Sequence, residues 1–160
     1  MSNRSKGLAE RLEQGVRSLV TFTGALTDAE WKTPIPHDWR TVGIVVHHVA
    51  SIMPLEIDLA MTVAKGKPVV GLTWDTVHQI NAEHARSNPE AGKDEALDLL
   101  RKNADAAAKA IRALSDEELY RALPVSMYSD APLTTQFLLE DHAVRHAYHH
   151  LAKIRGALKR

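Results

Sequence analysis

The chain has 160 residues, which suits one domain over 1–160 with a sizeable core, and its 20 basic and 20 acidic residues balance to a formal net charge of zero. Because no block of like charge occurs, nothing indicates a nucleic-acid or membrane partner. The chain has no cysteine, which excludes disulfides, thiolate nucleophiles and cysteine-ligated metal sites, so thiol chemistry would need a thiol on the substrate. The N-terminus lacks the apolar segment of a signal peptide, and we expect a soluble cytoplasmic protein.

The first predicted helix spans 8–26, where apolar residues recur every three or four positions with charged residues between them. Thr27 and Glu30 then form a capping-box pattern, which predicts a short helical turn. Pro34 ends this turn because proline cannot continue the backbone hydrogen bonds of a helix.

The second long helix is predicted over 42–64, again from apolar residues at helical spacing. His48 lies within its apolar stripe, whereas His47 falls about 100° away and is predicted to point outward. Pro54 removes one backbone hydrogen bond inside this helix, so we expect a kink one turn beyond His48.

The middle of the chain is predicted to hold a loop over 65–72, a shorter helix over 73–86 and a long alanine-rich helix over 90–114. Ser115 begins a second capping-box pattern. The following stretch to Pro132 is predicted to be irregular, and no convincing strand is found.

The last predicted helix spans 133–158 and carries four of the nine histidines within ten residues, namely His142, His146, His149 and His150. Residues four apart project from the same side of a helix. On a helical wheel, His146 and His150 are the pair nearest the apolar side. A buried imidazole is usually satisfied by a hydrogen bond, and two imidazoles one turn apart can instead share a metal ion. Both interpretations stay open from the spacing alone.

Four long amphipathic helices without a convincing strand predict an all-α four-helix bundle, with the shorter helix in the connection between the second and third long helices. Sites in such bundles form in the core from side chains on facing helices. Two of these helices offer inward histidines.

This setting resembles the DinB superfamily of four-helix-bundle metalloenzymes. The resemblance spans most of the chain and depends on a tryptophan followed by a Thr-Val helix start, a His-Val-Ala segment and a late H-x-x-x-H pair, here Trp39, Thr41, Val42, His48, Val49, Ala50, His146 and His150. An extra residue separates Trp39 from Thr41, so alignment on the tryptophan selects His47 and alignment on Thr-Val selects His48. The helical wheel favours His48.

The resemblance implies an up-down-down-up bundle that forms homodimers and holds a divalent metal ion through His48, His146 and His150. Zinc and nickel both suit imidazole ligands. It also implies an enzyme acting on a small molecule, because three protein ligands leave coordination positions for water or substrate. Some superfamily members are transferases that use bacillithiol, mycothiol or glutathione, and the absence of cysteine is consistent with a thiol cosubstrate.

Two alternatives stay open, a metal-dependent hydrolase and a stress-response protein that binds a metal or ligand without turnover. The sequence identifies no catalytic base. Four acidic residues lie near the histidines in sequence, and the helical wheels direct most of them away from the site, namely Glu56, Asp58, Glu140 and Asp141. Four residues on connecting segments could close over the metal but are expected to be ordinary surface residues, namely Glu83, His84, Tyr128 and Asp130.

Overall fold

The computed structural model describes residues 2–160 and is dominated by helices. The regular elements in chain order are α1 (Asn3–Gly24), α2 (Asp28–Trp31), α3 (Val42–Ala64), α4 (Trp74–Ser87), α5 (Lys93–Arg112), α6 (Asp116–Tyr120), β1 (Ala122–Val125), β2 (Ala131–Thr134), α7 (Thr135–Leu138) and α8 (Arg145–Leu158). A π-helical segment, Leu139–Val144, joins α7 to α8 without a break. The predicted four-helix bundle is confirmed, with α1, α3, α5 and the continuous helix over 135–158 as its members.

Side chains at the helix N-termini explain where several helices begin. The Thr27 hydroxyl accepts a hydrogen bond from the Glu30 backbone amide at 3.2 Å, and the Glu30 carboxylate accepts one from the Thr27 amide at 2.8 Å. Ser115 and Glu118 form the same reciprocal pair. Both predicted capping boxes are therefore present, and each satisfies backbone donors that lack an intrahelical partner.

The bundle core is built around α3, which packs against α5 and also contacts α4, α7 and α8. By length and composition α3 could cross a membrane, but 61% of its most apolar window is buried inside the bundle. Gly43 lets the Trp31 indole pack directly on this helix, because a β-carbon at that position would lie 2.7 Å from Trp31 Cε2. The Trp31 indole N–H in turn donates to the Ala91 carbonyl at 2.8 Å.

The region predicted to be irregular contains a β-hairpin, so that prediction was wrong. Strands β1 and β2 pair antiparallel, with Pro124 opposite Pro132. Proline donates no backbone hydrogen bond and is uncommon inside strands, which hid the pattern in the sequence. Val69, from the predicted loop, bridges in parallel to Val125, and the Ser126 hydroxyl donates to the Leu72 carbonyl at 2.7 Å. The hairpin therefore anchors the connection that leads into α4.

The π-helical segment changes the phase of the last helix. It begins four residues after α7 starts at Thr135, and it contains Asp141 and His142. A π-helical turn holds more residues than an α-helical turn, so side chains before and after it do not follow one wheel of about 100° per residue. Such segments occur often at functional sites.

Candidate metal centre

Three histidines from two helices meet in the bundle. One ring nitrogen from each of His48, His146 and His150 lies within 4.8 Å of the others, an arrangement that could hold a metal ion. The ring centroids are 5.0 Å apart for His48 and His146, 5.4 Å for His48 and His150, and 4.7 Å for His146 and His150. The sequence predicted this convergence, and the role of the three side chains as ligands stays a prediction.

The chemistry of the three histidines fits a divalent metal ion. His48 and His150 are only 3% and 5% exposed. Within the described part of the chain, the buried Nδ1 atoms of His48, His146 and His150 have no hydrogen-bond partner. Burial, and then the proximity of His146, lowers the pKa of His48 to about 2, and the same causes lower the pKa of His150. The neutral form that these shifts favour is the form that binds metal.

Glu56 lies against the histidine cluster, so it is not one of the acidic residues that the helical wheels direct away from the site. Its Oε1 atom is 2.9 Å from His146 Nδ1, although the approach lacks the alignment of a hydrogen bond. Its buried Oε2 atom has no hydrogen-bond partner among residues 2–160. A carboxylate that accepts the free ring N–H of a metal-ligating histidine orients the ring and raises its basicity. Glu56 Oε1 is close enough to His146 Nδ1 to form such a bond after a small rotation.

His47 and His84 form a second pair behind His48. His47 is 9% exposed, so the prediction that it points outward was wrong. Its Nδ1 atom lies 2.8 Å from His84 Nε2, within hydrogen-bonding distance. Burial lowers the pKa of both rings, that of His84 to about 4 with His47 as the next cause. Because α4 covers this side of α3, the doubled histidine has both members buried.

Arg40 is a charged neighbour that sequence reasoning missed. Its guanidinium donates to both carboxylate oxygens of Asp38, at 2.9 and 2.8 Å. Its positive charge is among the causes that lower the pKa of His48, His84 and His150. The buried Nη1 atom has no partner in the described chain, and no sequence signal distinguished this arginine.

Tyr128 is also part of the site region, contrary to the expectation of an ordinary surface residue. Its hydroxyl donates to Asp141 Oδ2 at 2.7 Å and lies 2.9 Å from His142 Nε2. Burial and the bond to Asp141 raise the pKa of Tyr128, and burial is the main cause that lowers the pKa of His142. This network ties the hairpin to the π-helical segment one turn before His146.

The other candidates lie elsewhere. Asp58, Asp130 and His149 are exposed. Two glutamates form ion pairs with arginines, Glu83 with Arg86 and Glu140 with Arg11. The structure therefore brings the three predicted ligands together and adds Glu56 as their buried carboxylate neighbour.

The sequence of this chain matches the model of a known protein family. The model of the mycothiol maleylpyruvate isomerase N-terminal domain matches residues 12–152, which include all three histidines. The chain belongs to this family. The family lies within the DinB superfamily, so the resemblance drawn from Trp39, Thr41, Val42 and the histidines is confirmed.

Solved structures share the fold. YfiT from Bacillus subtilis, described as a probable metal-dependent hydrolase with an unusual four-helix bundle topology, superposes with a TM-score of 0.79 at 20% identity, covering 99% of this chain and 89% of YfiT. The sibling lethal factor precursor DfsB gives 0.75 at 17% identity, covering 99% and 97%. An uncharacterized protein from Clostridium difficile 630 gives 0.75 at 15% identity, covering 99% and 98%. These likenesses confirm the predicted DinB-like bundle. No curated protein gives a significant match.

Proposed function

We propose that this protein is a metal-dependent enzyme that acts on a small molecule, with a divalent ion held by His48, His146 and His150. The observation that carries the proposal is the convergence of three imidazoles, with one ring nitrogen of each within 4.8 Å of the others, while the buried Nδ1 atoms of His48 and His150 lack partners within residues 2–160. A buried polar atom without a partner lowers the stability of the folded protein, and a metal ion would supply a partner for the ring nitrogens of the cluster. Zinc or nickel suits this donor set.

The protein's own groups prepare the site in two ways. Burial keeps His48 and His150 neutral, so neither must release a proton before it can bind. Glu56 stands beside His146 and favours the ring orientation and basicity of a ligand. When bound, the ion supplies Lewis acidity that lowers the pKa of a coordinated water or thiol.

The finer proposal is a thiol-dependent transferase. The family takes its name from a mycothiol-dependent isomerase, which supports a low-molecular-weight thiol as cosubstrate. The chain has no cysteine of its own, so the nucleophilic sulfur would arrive with that cosubstrate. The sulfur would displace a leaving group from an electrophilic carbon of the second substrate, and the thiol proton would pass to solvent.

A metal-dependent hydrolase is the second candidate, and Glu56 is the observation that favours it. A buried carboxylate beside the metal ligands is suitably placed to accept a proton from an attacking water. The description of YfiT as a probable metal-dependent hydrolase supports the same chemistry.

Metal content tests the coarse proposal. Protein purified without an affinity tag should bind zinc or nickel stoichiometrically, and His146→Ala should lose this binding while its helical circular dichroism persists, because the apolar core holds the bundle together. The matched control is His78→Ala, which replaces an exposed histidine on α4. Stoichiometric binding by His146→Ala would remove that residue from the ligand set.

Two activity assays then separate the finer proposals. Bacillithiol, mycothiol and glutathione are each offered with 1-chloro-2,4-dinitrobenzene, in which the sulfur displaces chloride and the thiol proton passes to solvent. Aryl esters are offered without thiol. Faster thiol conjugation by metal-loaded than by metal-free protein supports the transferase. If the metal-loaded and metal-free proteins conjugate each thiol at the same rate, the transferase is refuted. If ester cleavage also depends on the metal, the hydrolase is favoured.

A further inference from the structure

A cavity of about 290 Å³ lies between α3, α4 and the hairpin, next to the histidine cluster. Its wall is mostly apolar, and the apolar residues include Leu55, Leu59, Leu72, Trp74, Val77 and Met127. The volume is near the lower end of small-molecule sites, which hold roughly 300–1,000 Å³. It suits one or two fused rings or a comparable aliphatic group.

The cavity and the histidine cluster share a boundary. Glu56 contributes to the cavity wall, and its Oε1 atom is also 2.9 Å from His146 Nδ1. His142, one helical turn before His146, lines the same cavity and stacks on Trp74 with ring centroids 6.4 Å apart. A molecule in the cavity would therefore extend toward the candidate metal centre.

The charges in the wall select against anions. Among the described residues that line the cavity there is no lysine or arginine, while Glu56 and Asp58 both carry carboxylates. Asp58 is exposed and Glu56 is buried, so an anion inside would meet a buried like charge without a compensating cation. The Oε2 atom of Glu56 is enclosed by the protein, so a neutral donor in the cavity would reach the carboxylate through Oε1, which makes no aligned hydrogen bond to His146.

We propose that this cavity binds a neutral, apolar ring or chain of the substrate, with a hydroxyl or N–H group that donates to Glu56. The role of the cavity as a substrate site rests on the proposed function, but the binding of a ligand in it does not require a metal. A second copy of the chain is a less suitable occupant, because an apolar interface over this face would bury the exposed Asp58 carboxylate without a partner.

Equilibrium dialysis of the metal-free protein at neutral pH tests the proposal with two probes of matched ring size. 2-Naphthol is neutral and carries a hydroxyl, whereas 2-naphthoate is an anion. We expect 2-naphthol to bind at least roughly tenfold more tightly, because the carboxylate would be buried beside Glu56 without a partner. Equal affinities for the two probes would overturn the proposal. Glu56→Gln should narrow the difference, since it removes the like charge.

Two cavity variants locate the bound probe. Val77→Phe fills the cavity and should weaken 2-naphthol binding by roughly tenfold or more. Its matched control is Val70→Phe, because Val70 is 80% exposed and lies outside the cavity. Trp74→Ala removes a 44% exposed aromatic wall and provides a second test if Val77→Phe folds poorly. Unchanged binding in both Val77→Phe and Trp74→Ala would overturn the proposal.

Sedimentation tests the alternative occupant. A dimer that dissociates when Trp74 is replaced, in a protein that does not bind 2-naphthol, would assign the face to a second copy and overturn the proposal. Every binding measurement uses metal-free protein, so a failure to bind 2-naphthol would not contradict the proposed metal site. Binding of 2-naphthol by a protein that takes up no metal would support this inference and refute the proposed function.

Discussion

Acid should destabilise the metal-free protein through its buried histidines. In the unfolded chain, His48 and His150 would each bind a proton as the pH falls below their ordinary pKa of 6.5, whereas burial lowers both pKa values in the folded chain. The unfolded state therefore binds more protons than the folded state in this range, and the free energy of unfolding decreases as the pH decreases. The contribution is complete above pH 6.5 and is lost as the pH decreases from there.

The size of the effect follows from these pKa shifts. At about pH 5, protonation of a histidine with its ordinary pKa stabilises the unfolded state by about 2 kcal/mol. The folded state gains no such stabilisation, because its buried histidine stays neutral. His48 and His150 together should therefore lower the free energy of unfolding by about 4 kcal/mol between pH 7.5 and pH 5. That is a large part of the stability of an ordinary domain, which is about 5–15 kcal/mol.

Urea unfolding at the two pH values, with a chelator present, measures this difference. His48→Gln should remove about half of it, because glutamine does not titrate. The control is His78→Gln, which replaces an exposed histidine and should leave the difference unchanged. The reasoning would be refuted by equal free energies of unfolding at both pH values, or by a His48→Gln variant that keeps the full pH dependence.

The sequence predicted the parts of the site that depend on one helix at a time. His48 lies in the apolar stripe of α3, and His146 and His150 follow each other by one turn on α8. Helical spacing is regular within each of these stretches, so a wheel locates the side chains correctly. The capping boxes were predictable for the same reason, since both partners lie within four residues.

The parts that failed depend on a second helix covering the same surface. A wheel divides a helix into one buried and one exposed face, but α4 also packs on α3 and places His84 against His47. This contact buries His47, although the wheel predicted that it points outward. The Tyr128 network was missed because it requires the hairpin and the π-helical segment, neither of which has a clear periodic signal.

Two further substitutions test the packing and the support of the metal centre. Gly43→Ala should lower the free energy of unfolding by about 1–3 kcal/mol in urea titrations, because the added β-carbon would overlap the Trp31 indole; unchanged stability would show that the indole moves freely. Glu56→Gln should weaken metal binding by about tenfold or more in competition with a chelating dye, because the amide no longer raises the basicity of His146. The matched control is Asp58→Asn, which neutralises an exposed carboxylate two residues further along α3 and should leave the affinity unchanged. Equal losses in both variants would mean that only the net charge near the site matters, and equal affinities in all three proteins would remove Glu56 from the support of His146.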